Sequence, residues 1–225
     1  MDKPVTFDPR SYPDDGPILD AWGDHYQHAF IALHPFMGGH RKSHPCPIAW
    51  SEVAHGLGSP RFPDFALAVC LAANGMDGTC RPDADRQLIS KLMKFVEEQD
   101  LRYPIDAMFP LAWCAIFHGI FHRMGAAEVI ANDYITIGDI EVTVPLADFQ
   151  AARLPRETRA VIDPFNRLII TSFPMDTYAS IVGLTHEAFE ITGNDLPLEG
   201  FFAGPSTTSS WVNEPGTYSY DGWLS

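Results

Sequence analysis

The sequence predicts an α+β fold: a helical N-terminal part packed on a small, mostly antiparallel sheet, with an aromatic-rich irregular C-terminal arm. Three observations lead there. Apolar residues recur at three- and four-residue spacing before residue 134, the period of helices that bury one face. From Tyr134 the pattern changes to short β-branched runs separated by turn residues. The segment 194–225 is rich in Pro, Gly and Ser, yet carries Phe201, Phe202, Trp211, Tyr218, Tyr220 and Trp223, more ring surface than disordered chains usually hold. The expected organisation is one domain, residues 1–225, with an irregular arm at 1–16, a mainly helical part at 17–133, a mainly β part at 134–193 and a packed arm at 194–225.

Taken in order, Pro4, Pro9 and Pro13 make the first segment irregular, and Pro17 suits a first helical position. Ile18, Trp22, Tyr26, Ala29 and Leu33 then follow helical spacing, which predicts a helix over 17–34. Short helices are expected from Pro47 to His55, stopped by Gly56, and from Pro63 to Ala73, stopped by Asn74 and Gly75. Asp83 or Asp85 can cap an amphipathic helix to Gln99 with Leu88, Leu92, Phe95 and Val96 on one face. Ala107 to Met124 is the most apolar stretch and the expected central helix. Runs at 134–137 and 140–144 flank Gly138 and Asp139 as a hairpin, and a second hairpin joins 159–162 to 168–173.

Fifteen Lys and Arg against 29 Asp and Glu give a formal net charge of −14, which argues against a nucleic-acid partner on electrostatic grounds. The four cysteines form no C-x-x-C pair, so neither a disulfide framework nor a zinc ribbon is indicated, and reduced thiols suit a cytoplasmic location. The start of the chain lacks a signal-peptide layout. No run approaches the ~18 apolar residues of a membrane span, so the expectation is a soluble protein without a membrane partner.

The densest chemistry lies in the basic island Gly38-Gly39-His40-Arg41-Lys42-Ser43-His44-Pro45-Cys46-Pro47. Cationic neighbours and a following helix would stabilise a Cys46 thiolate. A thiol enzyme also needs a base, and His186, read as the start of an alternating apolar segment with Asn194 just beyond it, is the best-placed His. This order, an early Cys and a late His, resembles papain-like and peptidoglycan-cleaving cysteine peptidases; the resemblance implies Cys46 as nucleophile and His186 as base, and Asn194 joins them as a catalytic candidate. Gly39, His40, Arg41, Lys42 and His44 also form a candidate anion site without catalysis.

Cys114, His118 and His122 stand four apart along one helical stripe. Two His at that spacing can share a metal, but three successive turns span roughly 12 Å, so a closed site needs a ligand from elsewhere. The glutamate that follows the first His in zinc peptidases is replaced by Gly119. The run from Arg156 to Pro174 is similar to the closing hairpin of bacterial toxin ribonucleases of the barnase and EndoU type, and that resemblance implies Arg167, Thr171 and Ser172 as phosphate contacts.

No catalytic set is complete in sequence, and no cofactor is named by it. The leading expectation is therefore a soluble acidic accessory or interaction protein that binds another protein or its own copy. The alternatives are a thiol-dependent hydrolase or acyltransferase built on Cys46 and His186, and a metal-dependent enzyme at His118 and His122.

Overall fold

A computed structural model describes residues 13, 16–39, 46–104, 108–133, 140–172, 178–192, 196–214, 216–220 and 223–224. The fold is α+β, with helices packed on antiparallel sheets and an aromatic cluster built by the C-terminal region.

In chain order the first elements are α1 (Ile18–Ala21), β1 (His28–Leu33), β2 (Phe36–Gly38), β3 (Cys46–Ile48), α2 (Trp50–Gly56), α3 (Phe62–Ala73), α4 (Arg86–Glu98) and β4 (Leu101–Arg102). A 3-10 turn (Leu111–Trp113) leads into α5 (Cys114–Arg123), β5 (Glu128–Asp133), β6 (Ile140–Pro145), α6 (Leu146–Gln150), β7 (Ala160–Ile162), β8 (Leu168–Ser172), β9 (Ala179–Leu184), α7 (His186–Thr192) and β10 (Gly200–Phe202). A second 3-10 turn covers Trp211–Asn213.

Seven strands pair antiparallel in the order β10-β1-β9-β8-β7-β5-β6, and β3-β2-β4 form a separate small sheet. One row of paired residues crosses from edge to edge: Phe202, Phe30, Val182, Ile170, Val161, Ala131 and Val142. Alternation along each strand sends successive side chains to opposite faces. Phe30, Ala32, Val161, Ile170 and Val182 join the core under α5, α6 and α7, while Ala29, Ile31, Leu33, Ile169 and Ile181 join the core under α1 to α4. The molecule thus has three layers, with the large sheet in the middle.

The expected helix over 17–34 ends early. Ile18, Trp22 and Tyr26 are fully buried as their spacing requires, but helix α1 closes at Ala21 and the chain becomes β1, second in the sheet. A strand buried on both faces reads as a continuous apolar run rather than an alternating one, and Ala29-Phe30-Ile31-Ala32-Leu33 is such a run. The partner of β6 is β5, at 128–133; residues 134–139, including the expected Gly138-Asp139 turn, lie outside the described residues. The second hairpin pairs β7 with β8 around Asp163, whose buried carboxylate accepts from the Phe165 and Arg167 amides and from the Arg167 guanidinium at 2.9 Å.

The C-terminal arm folds back on its own chain. The Phe62 ring, at the start of α3, is ringed by Phe201, Trp211, Tyr218, Tyr220 and Trp223 at centroid distances of 4.8 to 6.0 Å. The Trp223 indole also donates to the Pro60 carbonyl at 3.0 Å.

Candidate ligand site at the end of the sheet

Antiparallel pairing brings the end of β1, the start of β9 and the end of β8 to one rim of the large sheet. Ser172 and Ser180 are direct cross-strand partners there, and their hydroxyls are 2.7 Å apart. His34 follows the last residue of β1 on the same face. Its Nε2 lies 2.8 Å from Ser180 Oγ. The backbone of His34 is held on both sides, since its amide donates to the Tyr178 carbonyl and its carbonyl accepts from the Trp50 indole at 2.7 Å. Trp113 meets the imidazole edge-on, with centroids 5.3 Å apart.

His34 is 2 % exposed, and burial alone pulls its pKa down to about 3. The imidazole is neutral at physiological pH. A neutral ring carries one N–H and one lone pair, and the hydroxyl chain below can satisfy Nε2 in either tautomer: Ser180 donates to it or accepts from it. In both cases Nδ1 is left, buried and without a hydrogen-bond partner among the described residues. An unmet buried polar atom costs about 1–3 kcal/mol, so such atoms mark places where water or a ligand completes the structure.

His34 lines a cavity of about 420 Å³ between the small sheet and the α5–α6 layer. Met37, Met108, Phe109, Leu111 and Leu154 make most of its wall apolar, and Tyr103, whose hydroxyl is pushed up to about 12 by burial, also borders it. A second hollow of about 250 Å³ adjoins it and shares Pro155, Arg156 and Thr158. Exposed large apolar side chains gather at these mouths, namely Leu111 at 54 %, Met108 at 37 % and Val142 at 37 %. Concave, mostly apolar space with a few fixed polar groups is the usual form of a small-molecule site.

Ser180 and Ser172 are not among the lining residues. Of the three hydrogen-bonded residues, His34 alone lines the cavity.

Cys46 is exposed on β3, opposite Gly38, and with Glu52, Phe95 and Gln99 it borders a different cavity of about 290 Å³. It does not sit at a free helix N-terminus, because the Trp50 and Ser51 amides that open α2 are capped by the Glu199 carboxylate. His186 is the first residue of helix α7, where an alternating strand-like segment was expected. Its ring stacks near His28 and lies 3.8 Å from Glu190. The cavity beside Cys46 belongs to the α2–α4 layer and α7 to the opposite layer, so the structure does not bring Cys46 and His186 together. Asn194 lies outside the described residues, as do His40, Arg41, Lys42 and His44; the Gly39 amide donates to the Asp100 carbonyl.

His118 and His122 stack with ring centroids 6.2 Å apart, whereas Cys114 is 1 % exposed and burial pushes its thiol up to about 11. Among the described residues no group of three His, Cys, Asp or Glu is placed to hold a metal ion. Arg167 is bound to Asp163, Glu187 and the Met124 carbonyl, while Thr171 and Ser172 are buried on opposite faces of β8. The three residues of the ribonuclease resemblance are not gathered at one surface.

The sequence signal for His34 was slight: a single His-Pro pair closing an apolar run. Only the pairing of β1 with β9 and β8 places two serines beneath it. No family model matches the chain, and neither a curated protein nor a solved structure matches it.

Proposed function

We propose that this chain is a binding protein for a small, largely apolar molecule, taken into the cavity beside His34 with a hydrogen-bonding group directed to Nδ1. The observation that carries the reading is the buried, neutral imidazole, fixed at Nε2 by two stacked hydroxyls and left unmet at Nδ1 among the described residues, on the wall of a mostly apolar cavity. Either tautomer allows one hydrogen bond, so the ligand group can be a donor or an acceptor.

The neutral fluorophore N-phenyl-1-naphthylamine tests this directly. It should bind saturably with enhanced emission. Ala112→Trp, which adds bulk at an exposed position of the cavity lining, should weaken binding by at least about tenfold while leaving the melting curve unchanged. Equal binding by the parent chain and Ala112→Trp would place the fluorophore elsewhere and remove the reading. An interaction protein is the second reading, and the net charge of −14 that supports it specifies no partner.

A further inference from the structure

We infer that the ligand of this cavity is an organic anion, whose carboxylate or phosphate group is held at the mouth by Arg102 and Arg156 while its apolar body lies inside. The inference rests on the ligand reading above. Arg102 approaches from β4 and Arg156 from the segment between α6 and β7, so one cation comes from each of two walls. Both are exposed, and neither has a hydrogen-bond or ion-pair partner among the described residues. Arg61, Arg81, Arg153 and Arg167 each hold an Asp or Glu, whereas Arg86 and Arg123, like Arg102 and Arg156, have no such partner among the described residues.

What sets Arg102 and Arg156 apart is that both line one cavity, in a chain with 29 acidic and 15 basic residues. No Asp or Glu is among the described residues lining this cavity; Glu157 lines the adjoining hollow that shares Arg156. Screening confines a charge's influence to roughly 8–10 Å at physiological salt, so an approaching anion responds chiefly to the charges at the mouth, two guanidinium groups against the neighbouring Glu157. Guanidinium groups also match carboxylate and phosphate oxygens with paired donors.

The orientation follows from desolvation. A charged head driven inward would meet a neutral imidazole with no countercharge, at a large cost. At the rim it meets two cations and keeps part of its water. The apolar body then contacts Met37, Phe109 and Leu154, and the group that reaches His34 is a second, neutral one.

Displacement of N-phenyl-1-naphthylamine from the full chain by decanol, decanoate and decyl phosphate tests the assignment. Decanoate, decyl phosphate or both should displace it at concentrations at least about tenfold lower than decanol at low salt, and the better anion identifies the head group. The advantage should shrink in Arg102→Gln and Arg156→Gln, exposed substitutions whose folding is checked by circular dichroism, and also in high salt. If decanol and both anions compete equally and the glutamine variants change nothing, the charge assignment is wrong while the ligand reading stands. If the fluorophore itself does not bind, both fall.

Discussion

At the scale of single residues, the main feature is a histidine kept neutral by burial. His34 has a folded-state pKa near 3, below the ordinary value of 6.5. Between those values the unfolded chain binds the proton and the folded chain does not, so this residue's contribution to stability falls as pH drops from about 6.5 towards 3, by about 1.4 kcal/mol per pH unit. In His34→Gln the urea midpoint should therefore decline less between pH 7 and pH 4.5 than in the parent chain. Parallel declines would show that His34 titrates normally. Asp163 is the charged counterpart: it is 0 % exposed, with its oxygens taken by two amides and the Arg167 guanidinium. Removing one partner of a buried pair leaves the other uncompensated, and Asp163→Ala is expected to cost about 3–5 kcal/mol in chemical denaturation.

Elements are terminated by both local and distant means. Helix α4 carries its own signal, with the Asp85 carboxylate accepting from the Gln87 and Leu88 amides. Asp85→Ala should cost about 1 kcal/mol. Helix α2 has no side-chain cap from its own segment, and Glu199, just before β10, supplies one through both oxygens. Glu199→Ala should lower the melting temperature by an amount comparable to Asp85→Ala although it lies far from α2 in sequence, and an unchanged melting curve would mean that water replaces it. Gly200, next in the chain, packs so closely on the Ile31 carbonyl that a Cβ there would collide with it. This contact seats β10 against β1.

For the whole molecule, the C-terminal segment closes the α1–α4 face rather than reaching outward. It supplies the edge strand β10 and the rings that surround Phe62, a residue 3 % exposed at the start of α3. Removal of residues 197–225 should expose that face and leave a chain that is aggregated or has lost its cooperative transition. Phe62→Ala is the milder test, with an expected cost of about 3–5 kcal/mol. A truncated chain with the parent melting curve would show that the arm is not part of the core. Among the described residues no helix is long and apolar enough to cross a membrane.

Local pattern alone determined α3, the capped and amphipathic α4, the β7–β8 hairpin with its Asp163-Pro164-Phe165-Asn166 turn, and the fact that the terminal aromatics are packed. These depend on periodicity, caps and turn residues within a few positions of one another. Tertiary structure decided that residues 28–33 are a strand, because a doubly buried strand and a helix segment share the same apolar run and only pairing with β9 and β10 separates them. It also decided the site. The basic island offered many reactive side chains close in sequence, whereas His34 and the serines 138 and 146 positions away from it are ordinary residues until antiparallel pairing stacks them and burial makes one unmet nitrogen costly.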